Sequence, residues 1–174
     1  MKRLPSLERV NELFAYNPED GLLRWRVDRH GSNGARTAKA GRIAGGKREG
    51  YVIVRVDDAQ YRAHRVIYLM MTGRELEAGA EIDHINCDRS DNRWCNLRVA
   101  SNSQNKVNKG VRRDCASGIK GVRIRGSRFQ AVVKDGSRQR SLGTFDSPFE
   151  AEAAFVNYAI KLHGDFAHQQ AAYP

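Results

Sequence analysis

Residues 82–105 read IDHINCDRSDNRWCNLRVASNSQN. This stretch begins with an Asp-His pair, continues through a polar loop and ends at an asparagine in a predicted helix. Carboxylate and amide oxygens bind hard divalent cations, and histidine takes up a proton near pH 7. These residue types, packed together with few apolar neighbours, indicate a nuclease centre. We therefore hypothesise that the rest of the chain brings DNA to this stretch.

The first part of the stretch is predicted to form a β-hairpin. A strand begins near Ala80 and ends at His84, residues 85–95 form a polar loop, and residues 96–99 return as the second strand. The Asn96 side chain is expected to hydrogen-bond across the loop and so to hold the hairpin in register.

The second part of the stretch is predicted to begin a helix. Ser101 and Gln104 have the spacing of a capping box, which starts the helix at Ser101 and places Asn105 near its first turn. This geometry directs Asp83 and Asn105 toward one point, with His84 beside them. Two oxygen ligands suit Mg²⁺ or Mn²⁺, and a neutral histidine takes a proton from the water that attacks phosphorus. The cation offsets charge on the phosphate and on the leaving 3′ oxygen.

Other metal chemistries fit this stretch less well. A zinc site needs paired Cys and His ligands, whereas Cys87 and Cys95 stand without a second pair. The spacing of Asp83, Asn86 and Asp88 fails the calcium-loop pattern, which also requires a glycine at its sixth position. A purely structural, aspartate-rich turn stays open as an alternative.

The composition points to a polyanionic partner. The chain has 174 residues and a net charge of +10, with 30 lysines and arginines against 20 acidic residues. A basic protein with no specific partner is the alternative. The sequence shows neither an apolar run near the roughly 18 residues of a membrane span nor the apolar core of a signal peptide. Its three cysteines, an odd number, fit a reduced cytosolic setting.

The N-terminal half is predicted to mix short helices and strands. In order, the elements are a helix within 4–16 with Phe14 on its apolar face, a strand over 22–27, a mobile basic loop over 28–50, a strand over 51–56, a turn at 57–60, a return strand starting at 61 and a helix over 64–71. The basic loop either contacts phosphates or is a plain linker. Arg65 is a candidate for DNA contact, and His64 is better interpreted as a structural histidine.

The C-terminal third is predicted to be a small sheet followed by a helix. A basic linker over 105–117 divides the chain near residue 112. The strands are predicted over 121–125, 128–134 and 138–142, with turns at 126–127 and 135–137. Ser147 caps a helix that ends at Gly164. Its apolar face is predicted to be Ala151, Ala154, Phe155, Tyr158, Ala159 and Leu162.

Charge is sorted by element in this third. Residues 117–143 contain seven basic side chains against one acidic one, and residues 144–174 contain one lysine against four acidic side chains. A basic sheet face suits the major groove of DNA, although a merely solvated face is the alternative. The candidate DNA-binding residues are Arg123, Arg125, Arg128, Lys134, Arg138 and Arg140.

Residues 82–105 resemble the ββα-metal motif of HNH endonucleases, particularly phage and intron-encoded homing endonucleases. The resemblance implies that His84 is the general base, that Asn96 orients the loop, and that Asp83 and Asn105 bind the metal. The final ligand position carries Asn rather than His, as in the nicking homing enzymes. Cys87 stands where glycine is usual, which implies an altered loop turn.

The C-terminal part resembles the DNA-binding (Apetala-type) domain of plant ethylene-response factors. The features that carry this resemblance are GVR at residues 121–123, LGTFDSPFEAEAA at residues 142–154, and the strand-strand-strand-helix order. The resemblance implies reading of the major groove by arginines on the sheet, and it adds Gln130 to the six basic candidates already named. This sheet lacks the tryptophans of the plant domains, so individual base contacts do not carry over.

Together these observations predict an α+β protein with two parts. Residues 1–112 form an N-terminal extension and a ββα-metal nuclease module with its core at 80–110, and residues 117–168 form a three-stranded antiparallel sheet plus a helix. The expected function is metal-dependent, homing-type cleavage of DNA phosphodiester bonds at a preferred site, with one Mg²⁺ or Mn²⁺ per active site and nicking at each centre.

Two other function classes remain. One is a non-catalytic DNA-binding regulator with a degenerate nuclease module, and the other is an RNA-binding protein, which leaves the Asp-His-Asn set unexplained. For the nuclease, the expected partner is double-stranded DNA, with no membrane, and a homodimer where both strands are cut. The expected location is the cytoplasm of a bacterial host cell, with a phage or prophage as the source.

Overall fold

The computed structural model describes residues 3–31, 34–108, 111, 114–135 and 138–167. Backbone contacts divide the chain into two compact units, Met1–Val99 and Ala100–Pro174. Helices are combined with small antiparallel sheets, which confirms the predicted α+β class. Residue 112, where the sequence suggested a boundary, lies outside the described residues. No helix in the described ranges is long and apolar enough to cross a membrane.

The first unit is built from short strands around two helices. Its elements are α1 (Leu7–Leu13), β1 (Phe14–Asn17), β2 (Leu22–Trp25), β3 (Arg29–His30), β4 (Arg36–Ala38), β5 (Gly46–Arg48), β6 (Tyr51–Val56), β7 (Ala59–Arg62), α2 (Ala63–Thr72), β8 (Ala80–His84), a short 3-10 helix (Trp94–Asn96) and the start of β9 (Leu97–Ser101). The paired strands are β1 with β2, β3 with β4, β5 with β6 and β7, and β8 with β9. The predicted strand over 51–56 and the strand ending at His84 are confirmed.

Three N-terminal predictions need correction. The first helix ends at Leu13, because Phe14 enters β1 and pairs with Trp25, so Phe14 does not lie on a helix face. The turn predicted at 57–60 is shorter: Val56 pairs with Ala59, so the return strand starts there. The supposed loop over 28–50 contains β3, β4 and β5.

The core of the first unit forms where α1 and α2 pack against the strands. Val10, Phe14, Val54, Val66 and Ile67 are fully buried, and they belong to one apolar cluster. Burying a large aliphatic or aromatic side chain contributes roughly 1.5–3 kcal/mol. This core fixes the helix α2 that carries His64 and Arg65.

The second unit contains the predicted sheet and helix. Its elements are the end of β9, α3 (Asn102–Asn108), β10 (Val122–Arg125), β11 (Arg128–Asp135), β12 (Arg138–Phe145), α4 (Pro148–His163) and a short 3-10 helix (Gly164–Phe166). The strand order is β10-β11-β12, with antiparallel pairing throughout. The last strand is three residues longer than predicted. Gly136 and Ser137, which belong to the predicted second turn, lie outside the described residues.

Helix α4 covers one face of this sheet. Ser147 caps it by accepting a hydrogen bond from the Phe149 N–H at 3.2 Å, and the helix ends before Gly164 as predicted. Ala151, Phe155 and Ala159 are buried against the sheet. Leu162 is 38% exposed, so its assignment to the apolar face was wrong.

Candidate active site

The Asp83 carboxylate is fixed by an arginine from the neighbouring strand. Asp83 lies on β8 and Arg98 on β9, and both the Nε and an Nη of Arg98 lie 2.9 Å from Asp83 Oδ2. The side chains are 5% and 16% exposed, so the pair is largely removed from water. A carboxylate held by a guanidinium is fixed in direction. The sequence reasoning did not identify Arg98.

His84, the next residue on β8, is oriented by Asn92. The His84 Nε2 lies 3.2 Å from Asn92 Oδ1, and the Asn92 amide nitrogen donates to the carbonyl of Ser90 at 3.2 Å. The Asn92 oxygen therefore faces the imidazole. Tyr16 donates to the Asn92 backbone carbonyl at 2.8 Å, which fixes the same residue from the other side. Asn92 was missed in the sequence, where it is one of several asparagines in a polar loop.

Burial lowers the pKa of His84 below its usual value of 6.5. The bond to Asn92 and the nearby carboxylates of Asp83, Asp88 and Asp91 oppose this shift without reversing it. A lowered pKa keeps the imidazole neutral at pH 7, which is the state that accepts a proton.

Asn96 closes the loop with three hydrogen bonds. Its Oδ1 accepts from the Asn86 N–H at 2.9 Å, and its Nδ2 donates to Asn86 Oδ1 at 3.0 Å and to the Asp91 carbonyl at 2.8 Å. These are the bonds across the loop that the sequence led us to expect. Asn96 is buried, so these bonds satisfy polar groups that water does not reach.

The loop aspartates bind neighbours within the loop. Asp88 accepts from the Ser90 N–H and hydroxyl at 2.8 and 2.7 Å. Asp91 pairs with Arg93 at 2.6 Å, and this arginine is the main reason that its pKa falls to about 2. The interpretation of an aspartate-rich turn is therefore correct for these two residues, whereas Asp83 lies on the strand.

Cys87 occupies a backbone conformation that favours glycine. Its φ is +62°, in the left-handed region, and its N–H donates to the His84 carbonyl at 2.9 Å. A Cβ is strained there, which gives a physical reason for the glycine that is usual at this position.

We expect Cys87→Gly to raise the free energy of unfolding by roughly 0.5–1 kcal/mol. Relief of about 1–2 kcal/mol of left-handed strain exceeds the added chain entropy of glycine, which is about 0.5–1 kcal/mol. Urea denaturation measures the difference. Cys87→Ala is the matched control because it removes the thiol and keeps the Cβ; an equal gain in both variants would assign the effect to the thiol.

Two aromatic rings, those of His64 and Tyr51, lie against the ring of the candidate base His84. The ring of His64, from α2, lies edge-on to His84 with centroids 5.0 Å apart. Tyr51, at the start of β6, lies 5.5 Å from His64 and 6.2 Å from His84 between centroids. Burial, followed by His84, lowers the pKa of His64 to about 3. His64 is thus a buried neutral histidine packed on the site.

Acid is expected to destabilise the protein through His64. Well above pH 6.5 this imidazole is neutral in both the folded and unfolded chain. As the pH falls toward about 3, the unfolded chain binds a proton that the folded chain resists. The free energy of unfolding then drops by up to about 1.4 kcal/mol per pH unit, with His84 adding in the same direction. Urea titrations between pH 6.5 and about 4.5 should show a shallower slope in His64→Phe, and parallel slopes would contradict the assignment.

Asn105 lies in the first turn and a half of α3, in the second unit. The capping box that precedes it is present: Ser101 N–H donates to Gln104 Oε1 at 2.8 Å, and Gln104 N–H donates to Ser101 Oγ at 3.2 Å. Asp83, His84 and Asn96 belong to the first unit. Joint metal binding by Asp83 and Asn105 therefore remains a prediction.

The donor types fit a hard divalent cation. One carboxylate and one amide oxygen are ligands that Mg²⁺ and Mn²⁺ accept while keeping water in their other positions. In the ranges that the structure describes, no three His, Cys, Asp or Glu side chains group into a metal site.

The predicted basic residues divide between the two faces of the C-terminal sheet. Arg123 pairs with Gln130 and Arg125 with Arg128, which places these four on the face away from α4. Lys134 follows the same alternation. On β12, however, Arg138 pairs with Asp135 and Arg140 with Val133, on the face that α4 covers. The expectation of one shared face was wrong for Arg138 and Arg140.

The contacts of Arg140 confirm its position on the helix side. It donates to the Tyr158 hydroxyl of α4 at 2.8 Å. On the other face, Arg123 donates to Gln139 and Arg125 to Gln130, at 3.0 and 3.1 Å. Arg65, the remaining candidate for DNA contact, is half-buried on α2.

Comparison with known proteins gives one family. Residues 61–107, about a quarter of the chain, match the HNH endonuclease family. An uncharacterized HNH endonuclease of Acanthamoeba polyphaga mimivirus is 28% identical over 115 residues, which cover 66% of this chain and 59% of the relative. The chain thus matches less than two thirds of that relative's length. No solved structure matches the chain.

The matched segment contains all four candidate residues of the nuclease motif. Asp83, His84, Asn96 and Asn105 lie between residues 61 and 107. The two comparisons support a nuclease. They do not support the resemblance of the C-terminal part to ethylene-response factors.

Proposed function

We propose that the chain is a metal-dependent DNA endonuclease of homing type that nicks one strand at a preferred site. The observation that carries this proposal is the pair Asp83-His84 at the end of β8. There, a buried neutral imidazole is held by Asn92, next to a carboxylate held by Arg98. A general base beside an anionic metal ligand is what hydrolysis of a phosphodiester by water requires.

The hydrogen bond to Asn92 selects the nitrogen that acts as the base. Because the Asn92 oxygen faces Nε2, that nitrogen carries the proton and donates a hydrogen bond to Asn92. The lone pair then lies on Nδ1 of His84. In the proposed reaction, Nδ1 takes a proton from the water that attacks phosphorus, and Asn92 stabilises the imidazolium that forms.

Asp83 and Asn105 are the proposed ligands of the cation, Mg²⁺ or Mn²⁺. When bound, the cation supplies positive charge to the phosphate and to the leaving 3′ oxygen. Arg98 keeps the Asp83 carboxylate in one direction, and Asn96 holds the loop that ends beside it. These residues position the site; His84 is the residue that handles the proton.

A plasmid-nicking assay tests the proposed function. With Mg²⁺ or Mn²⁺ the protein should convert supercoiled plasmid to the open circle, and EDTA should stop the conversion. The alternative, a regulator with a degenerate nuclease module, shifts DNA in a gel and leaves the plasmid supercoiled with either metal. If the rate of plasmid linearisation is proportional to the protein concentration, nicking at each centre is contradicted. If that rate rises with the square of the concentration, the result indicates a homodimer.

Residues 117–168 are proposed to supply most of the affinity for double-stranded DNA. Arg123, Arg125, Arg128, Gln130 and Lys134 lie on the sheet face away from α4. A cytoplasmic location in a bacterial host, with a phage or prophage as the source, is part of the same proposal. It rests on the resemblance to phage homing endonucleases and on cysteines that fit a reduced compartment.

Arginines on the two faces of the C-terminal sheet should differ in their effect on DNA affinity. Arg123→Gln combined with Arg125→Gln should weaken binding to target DNA by at least about 30-fold, because each of the two lost bidentate contacts costs roughly 1–3 kcal/mol. Arg138→Gln removes the same type of charge from the helix side of the sheet and should change the affinity less than about threefold. Fluorescence anisotropy measures both, and equal losses would remove the exposed face as the DNA contact.

A further inference from the structure

Two arginine side chains lie over the ring of Tyr51, beside the candidate base His84. The guanidinium carbon of Arg62 lies 4.1 Å from the centroid of the Tyr51 ring, and that of Arg89 lies 5.0 Å from the same centroid. The ring itself lies 6.2 Å from that of His84. The negative face of an aromatic ring attracts cations, which explains how Tyr51 holds these two side chains.

The two arginines come from separate parts of the first unit. Arg62 is the last residue of β7, immediately before α2, and Arg89 belongs to the polar loop between β8 and β9. Tyr51 begins β6. Two consecutive strands and the polar loop thus place two cations on one ring, at the edge of the candidate active site.

Among the residues that the structure describes, neither cation is neutralised by an acidic side chain. Within the described part of the chain, no carboxylate forms an ion pair or a hydrogen bond with Arg62 or Arg89, and both side chains are exposed. By contrast, Arg9, Arg24 and Arg128 each pair with an aspartate or a glutamate. An anion that reaches both guanidinium groups is attracted by two like charges.

A cavity of about 280 Å³ adjoins Tyr51 and Arg62. It is lined by Tyr51, Arg62 and Arg48, together with Glu49 and uncharged side chains. Two of the three charged side chains that line the cavity, Arg48 and Arg62, are arginines. Arg89 places a further cation at the Tyr51 ring. An oxyanion with several acceptor oxygens matches such a set of planar donors.

We propose that Arg62 and Arg89, held by Tyr51, bind a backbone phosphate of DNA next to the phosphate that is cleaved. The proposal rests on the proposed function for the identity of the ligand. The phosphate bound here fixes the strand so that the neighbouring phosphodiester faces His84. Arg62 and Arg89 are thereby positioning residues for the substrate and take no part in the proton transfer.

The test measures binding apart from cleavage. In a His84→Ala background with EDTA, the affinity for a short DNA duplex is measured at several salt concentrations. Each phosphate contact contributes about 0.9 to the slope of log K against log salt. Arg62→Gln with Arg89→Gln should lower the slope by about 1 if the arginines share a phosphate, or by about 2 if each binds one. Binding at about 0.1 M salt should weaken roughly tenfold per lost contact.

Arg74→Gln is the matched control. Arg74 is exposed and follows the C-terminal end of α2, about 15 Å along the ten-residue helix from Arg62. An unchanged slope in the double variant, or an equal drop in Arg74→Gln, overturns the proposal. Arg62→Lys with Arg89→Lys keeps both charges and should keep the slope; a slope that falls as far as in the glutamine double variant overturns the proposal.

This result is separable from the proposed function. A wild-type protein that never nicks DNA would refute the nuclease, while the salt slope would still show whether the arginine pair binds a phosphate. Conversely, an active nuclease whose slope ignores Arg62 and Arg89 would refute the phosphate site alone.

Discussion

His84→Ala is expected to lower DNA cleavage by about 100- to 10,000-fold while leaving the affinity for DNA within about twofold of wild type. The range is the contribution typical of a general base. Single-turnover cleavage with Mg²⁺ measures the first quantity, and anisotropy with EDTA measures the second. His30→Ala, at an exposed histidine on β3, is the control and should cleave as wild type.

Added imidazole distinguishes a lost base from a disturbed fold. A small base that enters the space left by His84 should restore part of the cleavage by His84→Ala, because it replaces the missing lone pair. It should have no effect on wild type. Cleavage by His84→Ala at the wild-type rate would remove His84 as the base.

The pH dependence of cleavage should follow the protonation of His84, the proposed base. The base works in its neutral form, and burial lowers the pKa of His84 below 6.5. Cleavage should therefore be independent of the protonation of His84 between about pH 7 and 8 and should decline only as the pH falls below 6.5. Asn92→Ala removes the oxygen that favours the imidazolium, so its decline should begin at a still lower pH.

The sequence predicted the parts of this site that local signals determine. The strand ending at His84 and the capping box of Ser101 and Gln104 depend on neighbours within a few residues. Asn96 could be placed across its loop for the same reason. The roles of Asn92 and Arg98 depend on which side chains a folded hairpin brings together, and the sequence offers several equivalent asparagines and arginines nearby.

The C-terminal sheet shows a second limit of the sequence. Its strands and the helix boundaries at Ser147 and Gly164 follow from local patterns. The face of each β12 residue follows instead from register, which pairs Asp135 with Arg138. Cross-strand partners share a face, so this pairing puts Arg138 and Arg140 on the helix side. Composition showed that the sheet is basic but not which face each arginine occupies.

The Asp83–Arg98 pair should have separate effects on stability and on cleavage. Asp83→Leu leaves the Arg98 guanidinium, 16% exposed, without its carboxylate, and Arg98→Met leaves Asp83, 5% exposed, without its cation. Removing one partner of a buried pair costs about 3–5 kcal/mol. Both single variants should thus lose similar stability in urea denaturation.

The two variants should differ in cleavage by the molecules that remain folded. Arg98→Met keeps the carboxylate that we propose as a metal ligand, whereas Asp83→Leu removes it. The double variant replaces the pair by apolar groups, which is often neutral for stability. It should therefore recover most of the lost stability and none of the cleavage. Wild-type cleavage by the double variant would exclude Asp83 as a metal ligand, because no carboxylate would then remain at the end of β8 to hold the cation.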